Sequence, residues 1–153
     1  MTDVVIIGGG VIGLAIAREA SRSGLETIVL EKNERAGDDT SSRNSGVIHA
    51  GIYYPESFLK TSLCVKGNKL LYEYALAKKI NHKKYGKYII ASNSSEEAKL
   101  KKIFKQAIKN KVEIYEADSD RVKENNPGLI FKSALFSPSS GVIDVPELSL
   151  IHI

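Results

Sequence analysis

Apolar residues open the chain as an unbroken run, Val4-Val5-Ile6-Ile7, which stops at Gly8-Gly9-Gly10 and leads into Val11-Ile12-Gly13. A short apolar run bounded by glycine reads as a buried strand. The period then lengthens. Leu14, Ile16, Ala17 and Ala20 fall on one side and Arg18, Glu19 and Arg22 on the other, which predicts an amphipathic helix ended at Gly24. A second apolar run, Thr27-Ile28-Val29-Leu30, predicts another strand, and it ends on Glu31. From Lys32 to Gly46 the chain is polar and reads as a loop. Residues 46–55 mix small, apolar and polar positions and predict a short extended segment. Leu59, Leu63, Leu70, Leu71, Tyr74 and Ala75 then recur at helical spacing, which predicts a helix over 56–80. Residues 85–91 read as a strand, and Ser94-Ser95-Glu96-Glu97 as a capping pattern before a lysine-rich helix with Ala98, Ile103, Ala107 and Ile108 on its inner face. A strand at 112–115, a helical turn at 120–126 ended by Pro127-Gly128, and two strands at 133–143 around Pro138 complete the pattern. Tyr85, Tyr88 and Tyr115 read as packing residues. The alternation predicts an α/β fold that opens with a βαβ unit.

The glycine spacing gives that unit a chemistry. Gly8 lets the chain turn tightly out of the strand, Gly10 has no Cβ to keep a pyrophosphate from the backbone, and Gly13 lets the helix approach the sheet. The unpaired amides and positive dipole end at the helix N-terminus favour an anion there. Glu31 follows about twenty residues on, at the end of the second strand, where a carboxylate accepts hydrogen bonds from adenosine ribose hydroxyls. It would also repel a 2′-phosphate, which argues against NADP. Strand before, amphipathic helix after and the acid in place together point to dinucleotide binding; the bland alternative is a βαβ unit in an unrelated α/β protein.

Composition sets limits. The 153 residues are 42% hydrophobic and 26% charged, enough for a folded core. No apolar run is long enough to span a membrane and the chain enters a strand at once, so neither a transmembrane helix nor a signal peptide is expected, and a cytoplasmic protein is the default. Cys64, the one cysteine, has no partner for an internal disulfide and reads as a packed thiol in a helix. No metal site is expected. The excess of 22 basic over 18 acidic residues is scattered, apart from Lys99, Lys101, Lys102, Lys105, Lys109 and Lys111. That stretch has neither interleaved aromatics nor arginine pairs, so it reads as a solvated helix face and not as a nucleic-acid module. The charge would support only loose, peripheral attachment to an anionic membrane.

The polar loop leaves the strand end where a nucleotide would lie. Thr40, Ser41 and Ser42 supply hydroxyls and backbone donors and Arg43 a guanidinium, all partners for phosphate oxygens; an N-cap cluster starting a short helix is a compatible reading. His49, flanked by Gly46 and Gly51, is either a structural histidine or an acid–base group.

The GGGVIG turn, Glu31 and above all the stretch Thr40-Ser41-Ser42-Arg43-Asn44-Ser45-Gly46-Val47-Ile48-His49-Ala50-Gly51-Ile52-Tyr53-Tyr54 resemble the FAD-dependent oxidoreductases of the D-amino-acid oxidase and glycerol-3-phosphate dehydrogenase superfamily. Within it the chain is most similar to the L-2-hydroxyglutarate dehydrogenases or oxidases, and Leu63 to Tyr74 and Ser137 to Asp144 fit the same subgroup. The resemblance implies FAD as cofactor. Gly8, Gly10 and Gly13 would hold its pyrophosphate and Glu31 the adenosine ribose, Val11, Ile12 and Lys32 would also bind the cofactor, and Thr40, Ser41, Ser42 and Arg43 would line the path to the isoalloxazine. His49 and Gly51 would lie near the flavin ring, with His49 as the catalytic base. The reaction implied is oxidation of L-2-hydroxyglutarate to 2-oxoglutarate, with oxygen or a quinone as electron acceptor. An amine, amino-acid or glycerol 3-phosphate oxidoreductase, an NAD-binding module and an inactive remnant are the alternatives. The resemblance also divides the chain: 1–83 as the first part of the FAD-binding domain, 84–141 as the start of an α+β substrate domain, and 142–153 as the return to the first. The family continues beyond this length, so the chain reads as a truncated N-terminal portion with a complementing C-terminal half as a candidate partner.

Overall fold

The computed structural model of the chain describes residues 1–150. Ile151-His152-Ile153, expected in an unfinished helix, lies outside the described residues. The elements in order are β1 (Val4–Ile7), α1 (Val11–Arg22), β2 (Thr27–Leu30), β3 (Val47–Ile48), α2 (Leu59–Lys78), β4 (His82–Lys83), β5 (Lys87–Ala91), α3 (Ser94–Lys109), β6 (Tyr115–Glu116), α4 (Ser119–Asn125), β7 (Ser133–Ser137), β8 (Gly141–Ile143) and α5 (Val145–Leu150). They fall into two compact units, one made of Met1–Val47, Ala75–His82 and the residues from Ile143 on, the other of Ile48–Tyr74 and Lys83–Val142.

In the first unit β1 and β2 pair in parallel, from Val4 opposite Thr27 to Ile7 opposite Leu30, with α1 as the crossover packed on both. Gly8 turns the chain at φ +105°, and a Cβ on Gly13 would run into the Gly8 carbonyl oxygen and stand 3.4 Å from Ile6 Cγ2. The close helix–strand contact therefore depends on the missing side chain. Two expectations are corrected here. Ile16, placed on the inner face by periodicity, is 52% exposed; with Ile12, one turn earlier, it forms a second apolar stripe directed away from the strands. The apolar strand runs, expected to be buried, alternate instead: Val5, Ile7, Ile28 and Leu30 are all exposed, Ile7 at 89%, because α1 covers one face of the pair and no described element covers the other. Within the same unit α5 packs on α1. The Glu147 carboxylate of α5 accepts from the Asn81 backbone N–H at 2.7 Å.

The second unit carries an antiparallel sheet in the order β5-β7-β6, with Tyr88 and Tyr115 both opposite Phe136. Their rings pack on the Phe136 ring at centroid distances of 4.8 and 5.6 Å. Its core joins Ala50, Ile52, Ala91, Leu100, Ala107, Val112, Ile114 and Leu135. The buried stripe of α3 is Leu100, Ile103, Phe104 and Ala107, the spacing of a helix face. Ala98 and Ile108, expected inside, are exposed. The strand expected at 112–115 starts only at Tyr115. Val112 is occupied in closing the C-terminal turn of α3, where its N–H donates to the Ala107 carbonyl at 3.0 Å. The short strands β3, β8 and β4 make a third sheet, in the order β3-β8-β4.

The cap of α3 sits one residue before the expected serines. Asn93 Oδ1 accepts from the Glu96 N–H at 3.1 Å, and the Glu96 carboxylate accepts from the Ser92 N–H at 2.7 Å. Replacing Asn93 by alanine removes the acceptor for an otherwise unpaired helix amide, and we expect a loss of about 1 kcal/mol in urea unfolding. No change in midpoint would show that water satisfies that amide equally well.

Candidate functional site

The parallel pair delivers the C-terminal ends of β1 and β2 to one place, and the glycine turn and the 37–41 loop close around it. The resulting cavity of about 290 Å³ is lined by Gly8, Gly10, Glu31, Lys32, Thr40 and Ser41 among the residues expected at the nucleotide, and by Ile7, Leu30, Gly37, Asp38 and Asp39, which were not. Position at the carboxyl ends of parallel strands is where open α/β sheets bind nucleotides. The loop is tied to the turn by the Gly37 N–H, which donates to the Gly9 carbonyl at 2.9 Å.

Two side chains already meet backbone donors at this site. Glu31 Oε2 accepts from the Gly9 N–H at 2.6 Å and Oε1 from the Asn33 N–H at 2.9 Å. Those bonds, that from Asn33 first, hold its carboxyl below the usual carboxylate range. The carboxylate keeps acceptor capacity for a hydroxyl donor beyond these backbone bonds. Ser41 Oγ accepts from the Val11 N–H at 3.0 Å, so a hydroxyl occupies one of the amides at the start of α1, whose first intrahelical bond runs from the Leu14 N–H to the Gly10 carbonyl. A Cβ on Gly10 would meet only that Ser41 hydroxyl oxygen, at 3.2 Å. An amide-lined turn open at Gly10, with an ionised carboxylate at the end of β2, fits the ribose and diphosphate of a dinucleotide. Lys32 pairs with Asp39 at 3.2 Å, exposed on both sides. Ile12 points outward at 72% exposure, Gly13 serves packing, and Ser42 and Arg43 are exposed and do not line the cavity.

His49 and Gly51 belong to the second unit. The His49 side chain is exposed, while Ala50, Gly51 and Ile52 beside it are buried. Two buried asparagines fix this segment by its carbonyls. Asn68 on α2 donates both amide hydrogens, to His49 O at 3.0 Å and Ser139 O at 2.9 Å. Asn110, which ends α3, donates to Gly51 O at 2.8 Å and Tyr54 O at 2.9 Å, and its own oxygen accepts from Gln106 Nε2 at 3.0 Å. Gly51 holds φ +88°, and a Cβ there would stand 2.7 Å from Val65 Cγ2. Cys64 adds a weak thiol donor to His49 O at 3.7 Å, and burial pushes its thiol pKa up, as for a packed thiol. Neither asparagine is marked by the hydrophobic pattern; each became legible only through partners far along the chain.

The family model described as FAD dependent oxidoreductase matches residues 3–150. The chain belongs to this family. Its cofactor is accordingly FAD, and the residues that line the glycine-turn cavity suit the adenosine diphosphate end of that group. The L-2-hydroxyglutarate dehydrogenase, mitochondrial, of Arabidopsis thaliana is 44% identical over 97% of this chain and 31% of that protein. The protein of the same name from Dictyostelium discoideum is 38% identical over 96% of this chain and 34% of its own length. Among solved structures, the dithionite-reduced L-alpha-glycerophosphate oxidase from Mycoplasma pneumoniae with FAD bound superposes with a TM-score of 0.89 at 29% identity, covering 98% of this chain and 41% of that one. The chain thus spans about a third of the length of these curated relatives. No helix among the described residues is long and apolar enough to cross a membrane.

Proposed function

We propose that this FAD-dependent oxidoreductase chain contributes the nucleotide-binding turn and a catalytic histidine to the oxidation of a 2-hydroxy acid, with L-2-hydroxyglutarate as substrate and 2-oxoglutarate as product. The observation that carries the reading is the glycine-turn cavity with Glu31 at its edge, in a chain 44% identical to an L-2-hydroxyglutarate dehydrogenase over 97% of its residues. In this reading residues 1–83 begin the FAD-binding domain, 84–141 begin the substrate domain, and the residues from 142 on return to the first. The turn amides and Glu31 hold the adenosine diphosphate end, and Thr40, Ser41, Ser42 and Arg43 continue along the diphosphate. Bound FAD supplies the two-electron acceptor for the C2 hydride. His49 takes the hydroxyl proton of the substrate, its backbone fixed by Asn68. Oxygen or a quinone would be the final electron acceptor, and a polypeptide covering the remaining length of the relatives would complete the site.

The test is the visible absorbance of the purified chain after incubation with FAD and removal of unbound flavin, beside a version extended to the length of the relatives. We expect flavin bands in both, and bleaching by L-2-hydroxyglutarate in the extended version. Absence of flavin from both would remove the nucleotide assignment, and retained flavin that L-2-hydroxyglutarate leaves oxidised would remove the substrate. In the extended version His49→Gln should keep flavin and slow bleaching by roughly 10²–10⁴-fold, the usual contribution of a general base. An unchanged rate would take the proton transfer away from His49.

A further inference from the structure

A second site is lined by charge that the oxidoreductase reading does not use. In the second unit an open groove of about 520 Å³ runs between α2 and the end of α3. Its size falls within the range of small-molecule sites. Lys66 and Lys69 enter it from α2, and Lys109 and Lys111 from the end of α3. None of the four is in an ion pair among the described residues. Lys109 and Lys111 have an ordinary reason to be there, since cations are favoured at a helix C-terminus. Lys66 and Lys69 lie in the body of α2, on its exposed face.

The rest of the lining narrows the ligand. Val65, packed against the core, and Leu70, half exposed, put an apolar surface in the same groove as the lysines. Thr61 and Ser62 also line it, but their hydroxyl hydrogens already go to Pro55 O at 2.6 Å and Leu59 O at 2.9 Å, and the Asn110 amide is fully engaged with Gly51 and Tyr54. The lysines are therefore the groove's side-chain donors for an anion. Glu56 and Glu73 stand at the same groove and disfavour ligands that place negative charge beside them. We propose that the groove binds a small organic dianion, two anionic groups joined by a short aliphatic linker, with one end on Lys66 and Lys69, the other on Lys109 and Lys111, and the linker over Val65 and Leu70. This inference does not rest on flavin binding, because none of the residues it uses is among those assigned to the cofactor or to the proton transfer.

The experiment is an NMR titration of the isotope-labelled chain, without flavin, using glutarate as probe, with butyrate and inorganic phosphate as comparisons. Glutarate should give saturable shifts confined to the amides of Val65, Lys66, Lys69, Leu70 and Lys109 to Lys111, while butyrate and phosphate bind more weakly. Lys66→Gln with Lys109→Gln removes one cation from each end and should weaken glutarate by about tenfold or more, the loss of two charge-assisted contacts. Lys99→Gln with Lys102→Gln removes the same charge from α3 outside the groove and should change nothing. Lys69→Gln with Lys111→Gln provides a second groove variant should the first disturb the spectrum elsewhere. Equal weakening by the groove and control pairs, butyrate binding as well as glutarate, or no saturable shift in the parent chain would each overturn the proposal.

Discussion

Gly13→Ala is expected to destabilise the first unit by about 1–3 kcal/mol, the range for forcing atoms into a filled space, and to abolish flavin retention. The added Cβ would meet the Gly8 carbonyl, which is backbone in a turn that cannot step aside without moving β1. Gly10→Ala separates folding from binding. Its Cβ would meet only the Ser41 hydroxyl, at 3.2 Å, which a rotamer change relieves. That variant should unfold in urea close to the parent and still lose flavin, because the methyl group would stand where the proposed site has the diphosphate approach the turn. Urea midpoints with flavin absorbance on both variants decide the matter. If Gly13→Ala keeps the parent midpoint, the tight helix–strand contact is not a structural requirement; if Gly10→Ala keeps flavin, the diphosphate does not pass over this turn.

Asn110→Leu should be the most damaging single change in the second unit. It strands the carbonyls of Gly51 and Tyr54, and each such group left unpaired costs about 1–3 kcal/mol, so a loss of roughly 2–6 kcal/mol is expected, towards the lower end because the Tyr54 bond is only partly buried. Asn110→Asp separates the hydrogen bonds from the packing. It keeps the shape and the acceptor for Gln106 but aims a carboxylate at two carbonyl oxygens, so its folded-state pKa must rise above the unfolded value. A raised pKa means the stability is present at low pH, where the protonated acid donates to one carbonyl, and is lost as pH rises through the folded pKa. Urea unfolding of the Asp variant should therefore improve on acidification relative to the Leu variant. Parallel pH profiles for the two would show that Asn110 acts only by filling space.

The βαβ turn and its acid were legible because their information is local: strand, glycines, helix and Glu31 are neighbours in sequence, and their spacing is dictated by the same ligand geometry. The boundary of α3 was off by a residue because Asn93 and Ser94 are both competent caps, and only the backbone geometry chooses between them. Asn68 and Asn110 were invisible for a different reason. Their partners lie 71 and 59 residues away, at Ser139 and Gly51, so nothing in the local pattern marks either amide as a clamp. The outer faces of β1 and β2 misled in the opposite sense. Val4-Val5-Ile6-Ile7 has the composition of a strand covered twice, yet the described residues provide cover once. Composition reports the cover a strand is suited to, and not whether the cover is present.

That uncovered face has a consequence in time. Synthesis runs from the N-terminus, so Val5, Ile7, Ile28 and Leu30 have all left the ribosome while most of the second unit is still being translated. At about 5–20 residues per second, the remaining described chain takes on the order of ten seconds. Throughout that interval, and after it as far as the described residues go, an apolar ledge with open strand edges meets the crowded cell, the situation in which holdase chaperones and neighbouring nascent chains compete for a strand. The yield of folded protein is then expected to fall as translation slows, a kinetic dependence that the stability of the finished units does not set.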